Sequence, residues 1–168
     1  AVTSFCHDVC GHPEFSSSRF PFAPRSAGGL GLVHLATNAA ILRVAQACRM
    51  LASSDPCVAG TARHRLDMEL LASGVRAPTD HDRSSYLSPS PSDQLPRRNS
   101  PPFWHDVRRC LHDLQAHITL SDSITVSVRD PDGTMHMLAP RAIVPKLREF
   151  ARRAEGAALA MQPAQGRV

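Results

Sequence analysis

Ser100–Glu155, SPPFWHDVRRCLHDLQAHITLSDSITVSVRDPDGTMHMLAPRAIVPKLREFARRAE, is the stretch whose reading decides the fold. Several independent signals agree there. Ser100 is a good N-cap, and Pro101 takes the first helical position, where a missing N–H costs nothing. Phe103, Val107, Leu111, Leu114 and Ile118 follow at spacings of four, four, three and four. That period predicts a helix carrying one apolar face as far as Ile118, flanked by Trp104 and Cys110. Ile124, Val126 and Val128 then alternate with Thr125, Ser127 and Arg129, the pattern of a half-buried strand.

Asp130-Pro131-Asp132-Gly133 supplies a proline for the second position of a type I turn and a glycine for the left-handed residue of a bulge. The resulting hairpin puts His136 and Leu138 on the face of Val126 and Val128, with Met135, Met137 and Arg129 on the other. Pro145 opens a last helix whose Leu147, Phe150, Ala151 and Ala154 share a side. Gly156 is expected to stop it, leaving 157–168 as a fraying tail. Residues 100–156 thus read as a helix–β-hairpin–helix unit, with the hairpin packed on both helices. The fold class is α+β, mainly α.

Working outward, residues 77–99 read as a linker. Pro78, Pro89, Pro91 and Pro96 punctuate Ser, Asp and Arg, and no hydrophobic period survives. Residues 27–76 read as a helical segment. A long apolar helix is expected over 28–53, with His34, Thr37, Asn38, Gln46, Arg49 and Ser53 on a narrow polar face and the rest of its circumference packed. A membrane span needs about 20 uninterrupted apolar residues. His34, Asn38, Arg43 and Arg49 break the run, so peripheral contact is the most a membrane would make. Asp55-Pro56 is read as ending this helix. A shorter one follows over Thr61–Ser73, with Thr61 as N-cap, Leu66, Leu70 and Leu71 as its apolar stripe and Gly74 as its stop.

Residues 1–26 read as an irregular arm. Phe5, Phe15, Phe20 and Phe22 lie among Pro13, Pro21 and Pro24, which prevent a regular ladder. Burying each phenylalanine is worth about 1.5–3 kcal/mol, so Phe15, Phe20 and Phe22 are candidate partner-binding residues. The chain has 168 residues, is 42% hydrophobic and has a single Trp. It can hold one modest core carrying extended arms rather than a uniform globule.

The net charge of +4 is low for a chain whose main work is coating RNA. Lys146 is the single lysine; the other basic residues are arginine, whose planar guanidinium suits interfaces. Arg108, Arg109, Arg148, Arg152 and Arg153 are expected to form a basic rim across the two C-terminal helices, facing a protein partner or RNA. The chain opens on Ala1, which leads us to expect a processed chain or a fragment. From Phe15 to Ser54 there is no Asp or Glu, while arginine recurs among Ser and Ala, the composition of organellar transit segments.

Cys6, Cys10 and His12 are three candidate zinc ligands, an incomplete set that Cys48, Cys57 or Cys110 would have to close. Zinc is the one cofactor with any support. Cys48 and Cys57 are spaced for a disulfide between a helix end and the loop after it, but with five cysteines and no secreted pattern reduced thiols are the default. His105, His112 and His117 are read onto one helix beside Asp106 and Asp113, as solvent-facing residues, and His136 as a hydrogen-bonded core residue. Gly28-Gly29-Leu30-Gly31 lacks the spacing and the lysine of a phosphate loop.

These readings lead to the expectation of a non-catalytic structural accessory subunit of a large mitochondrial complex, of respiratory or ATP-synthase type, with protein subunits as partners. The alternatives are an organellar ribosomal or other nucleic-acid-binding protein and a small zinc-binding adaptor.

Overall fold

The computed structural model describes Arg25 and residues 31–93, 102–121, 123–130 and 132–160; for residue 140 and residues 155–160 it describes the backbone alone. The expected arm, with Phe15, Phe20 and Phe22, therefore lies outside the described residues. Among the described residues the chain forms five α-helices and a three-stranded antiparallel sheet, an α+β fold dominated by helix.

Helix α1 runs Leu35–Leu51. It starts later than the apolar run because Gly31 sits at φ +67°, a left-handed conformation that no helix continues through. Ile41, Val44, Ala45, Ala47, Cys48 and Leu51 are buried. The packing covers one side only, not most of the circumference, and Leu35 and Leu42 face outward.

Helix α2 runs Pro56–Ala72. The Asp55-Pro56 pair, expected to end the preceding helix, begins this one. The Asp55 carboxylate accepts the Cys57 N–H at 2.8 Å, and Pro56 takes the first position. Thr61 is thus an interior residue, not the cap. Gly74, at φ +98°, closes the helix as expected. Its N–H donates to the Leu71 carbonyl and that of Val75 to Leu70, a Schellman pair.

The stretch read as a linker contains helix α3, Asp80–Tyr86. Thr79 and Asp82 form a reciprocal capping box: the Asp82 N–H donates to Thr79 Oγ1, and the Thr79 N–H to the Asp82 carboxylate. Leu87 follows, fully buried. Its carbonyl accepts the Ile118 N–H at 3.0 Å, and Ser84 Oγ accepts the Leu120 N–H at 2.8 Å. Helix α3 therefore covers the outer edge of the first strand.

Helix α4 runs Phe103–Asp113, with Pro102 rather than Ser100 at its cap position. Trp104, Val107, Cys110 and Leu111 are buried. The predicted continuation to Ile118 fails at Gln115, whose φ of +49° breaks the helix. Ala116, Ile118 and Leu120 then alternate inward on strand β1, Ala116–Leu120. His117 and Ile118 thus belong to a strand, because a four-residue helical step and a two-residue strand alternation coincide at Leu114–Ile118.

Strands β2 (Ile124–Arg129) and β3 (Met135–Leu138) complete a meander in the order β1-β2-β3. Val126 pairs with Leu138 and Val128 with His136, the register the turn chemistry predicts. Gly133, at φ +90°, is the left-handed turn residue, and its N–H donates to the Asp130 carbonyl. A 3-10 turn at Pro140–Ala142 leads into helix α5, Ile143–Ala160. Pro145 lies inside its first turn, where its absent N–H leaves no bond unmade. The helix passes Gly156, and Ala154 is exposed rather than packed.

Ile41, Leu51, Leu66, Leu87, Trp104, Leu111, Val126 and Leu147 belong to one buried cluster. The N-terminal helices and the C-terminal unit thus share a core. Among the described residues no helix is long and apolar enough to cross a membrane.

Candidate interaction surfaces

The arginines expected to form a rim are dispersed. Arg108 pairs with Asp93 at 2.9 Å and lies over the Tyr86 ring, tying α4 to the 77–93 segment. Arg109 pairs with Asp106, which also accepts Arg43 Nε at 3.1 Å and so joins α4 to α1. Arg148 Nε donates to Asn38 Oδ1 at 3.0 Å, joining α5 to α1. Arg153 pairs with Glu149 at 2.6 Å and approaches the buried Asp130 carboxylate at 3.5 Å. Arg152 is exposed. Four of the five guanidiniums are directed at other parts of the chain rather than gathered on one surface.

The candidate zinc ligands Cys6, Cys10 and His12 lie outside the described residues. Among the described residues, no three His, Cys, Asp or Glu side chains are grouped to hold a metal ion. Cys48, Cys57 and Cys110 are free thiols. Burial pushes the Cys48 thiol up to about 12 and the Cys110 thiol up to about 11, the latter aided by the nearby Asp106 charge. Both are protonated, packed core residues, while Cys57 is exposed.

His112 and His117 are on different elements. His112 lies 3.3 Å from the Pro91 carbonyl. His117, on β1, is held below its usual range by burial and by the Arg129 charge. His136 stands 3.4 Å from Asp130 and packs at a tilt against Phe150; it bridges the hairpin and α5 and is not enclosed in the core.

Several large apolar side chains remain uncovered. On α1, Leu35 is 74% exposed and Leu42 48%, with Leu32 just ahead of the helix also exposed. Leu35, Ala39 and Leu42 are spaced to share one face. Val58, Met68 and Leu71 are exposed on α2, and Met135 and Met137 on the outer sheet face. Two grooves flank the contact of α1 with α4. One, of about 610 Å3, has Ala36, Ala39 and Ala40 between charged walls that include Arg43, Asp106 and Arg109. The other, of about 480 Å3, lies among α1, α2 and α4 and is lined mainly by apolar side chains.

Sequence reasoning missed the outward leucines because it asked how wide the apolar face of α1 is, not which part of it the fold covers. It also missed Arg83, which is bidentate to Asp67 and bonded to Asp80, although the Thr79-x-x-Asp82 box was visible. No family model matches the chain, and neither a curated protein nor a solved structure matches it. What the fold and its surfaces define is a mainly helical α+β domain with apolar faces left on α1, α2 and the sheet.

Proposed function

We infer that the chain is a non-catalytic structural accessory subunit of a larger protein assembly, docked to a neighbouring subunit through the outer face of α1. The observation that carries this reading is the exposed Leu35, Ala39 and Leu42 on one helical face. Contiguous exposed apolar surface of this kind marks interaction sites, and anchors at such spacings are how helices seat in grooves. A mitochondrial assembly rests on the acid-free, arginine- and serine-bearing composition of residues 15–54, and its respiratory or ATP-synthase type on a net charge of +4, low for an RNA-coating subunit.

An RNA partner has less support. Phosphate readers present clustered cations, whereas Arg108, Arg109, Arg148 and Arg153 are each engaged within the chain. A zinc-adaptor role rests on Cys6, Cys10 and His12 alone and stands or falls by metal analysis of the purified protein.

The test is chemical cross-linking of the full chain in its native extract, followed by identification of what co-migrates. The double variant Leu35→Lys, Leu42→Lys should lose its neighbour by more than about tenfold, as expected for apolar anchors, with unchanged helicity. A wild-type chain that runs alone, with no cross-linked neighbour, overturns the reading.

A further inference from the structure

The groove among α1, α2 and α4 has chemistry that the docking face lacks. Met50, Val58, Phe103 and Trp104 line it, with Cys57 among the lining residues. Arg65 is the one charged side chain among its described lining residues. Val58 and Arg65 are seven residues apart on α2 and so share a face. Among the described residues, no acidic group lines the groove and no ion pair to Arg65 occurs. Trp104 is only 2% exposed, and its indole N–H has no acceptor among the described residues. A buried donor left unpaired is costly and calls for an account. The groove's volume, about 480 Å3, falls within the range of small-molecule sites, which are mostly apolar with a few orienting polar groups.

We propose that this groove binds a small amphipathic carboxylate, whose apolar body lies against Met50, Val58, Phe103 and Trp104 and whose carboxylate pairs with Arg65. The assignment is to an anion because the only formal charge among the described lining residues is positive. It is to a monocarboxylate because there is one such charge. It is to a small molecule because the volume, about 480 Å3, is that of a small-molecule site. This site does not depend on the α1 docking face, which lies on other residues.

The groove holds two reporters. Trp104 is the only tryptophan of the chain, so its emission reads the groove alone. In a Cys6→Ser, Cys10→Ser background Cys57 is the accessible thiol, since Cys48 and Cys110 are buried. The full chain in that background is titrated with decanoate below its micellar concentration, and in parallel with decanol. Decanoate should shift the Trp104 emission saturably and slow Cys57 alkylation by the same half-saturation. Decanol should need about tenfold more, the worth of a charge-assisted contact. Arg65→Gln should abolish that difference at unchanged thermal stability, and Val58→Asp, which puts a carboxylate at an exposed lining position, should abolish decanoate binding.

The assignment is overturned if decanoate changes neither reporter, or if decanol and decanoate are equivalent on the wild type. It is overturned equally if Arg65→Gln leaves the preference intact. A Cys57 that is already unreactive in the untreated chain overturns it too, because the groove is then filled by protein.

Discussion

The 77–93 segment and the outer face of α1 are opposite exceptions to the rule that apolar sequence is covered and polar sequence is not. The first is rich in Ser, Pro and Asp, yet it is held closely. Leu87 enters the core, the capping box at Thr79 starts a helix, and Arg83 reaches Asp67 and Asp80 at 2.7 and 2.6 Å. The second carries leucines at helical spacing, yet Leu35 stays 74% exposed. Apolar content therefore does not tell which surface a chain satisfies by itself. A few directional polar contacts anchor a poor segment, while a richly apolar face stays open once the core it would join is full.

The sharpest way to break this contrast is Leu87→Ala. Leu87 is fully buried, so its loss should cost about 2–5 kcal/mol in a denaturant titration. A loss below 1 kcal/mol, on that same cavity scale, would mean that the segment is not part of the cooperative core. Next in size is Arg83→Ala, which removes a half-buried bidentate pair and should cost about 1.5–3 kcal/mol. Hydrogen exchange should quicken first in α3 and at the β1 edge it covers; exchange confined to other elements would count against the anchoring role.

Acid should loosen the same segment. The Thr79 hydroxyl and backbone hydrogen bonds hold the Asp82 carboxyl below its ordinary 3.8. A depressed folded-state value stabilises the fold above the unfolded value, and that support is lost as pH falls through the folded one. The α3 amides should therefore lose protection below about pH 3.8, the usual carboxylate value. In Asp82→Asn that acid-dependent step should be missing, and its persistence would assign it to another carboxylate. The smallest effect belongs to α1. Leu35→Ala and Leu42→Ala should each change the stability of the isolated chain by less than about 0.5 kcal/mol, as surface substitutions do. A larger loss would show that something in the chain covers them.

The hairpin was legible in full because its information is local. Alternation over Ile124–Val128 sets the faces, and Asp130 through Gly133 sets the turn, so the pairing of Val126 with Leu138 followed. The α4–β1 junction was not. Leu114 and Ile118 satisfy a helical and an extended pattern alike, and only Gln115 at φ +49° separates them. Asp55-Pro56 is ambiguous for a related reason: Pro both follows helices and opens them, and the carboxylate bonded to the Cys57 N–H chooses. Of the candidate surfaces, the arginines were found by type but not by destination, since their partners Asn38, Asp93 and Asp130 are distant in the chain or across elements.

By itself, then, the sequence determined the class of fold, the hairpin register, the helix stop at Gly74, the turn glycine at Gly133, and the presence of a strongly apolar first helix. These depend on period and on backbone permissiveness, which act over a few residues. Only the tertiary structure decided which side of α1 is spent on the core, that 77–93 belongs to it, and that Met50, Val58, Arg65 and Trp104 meet around one groove. Those outcomes depend on how much space a finished core leaves, and on which distant partner a long charged side chain can reach.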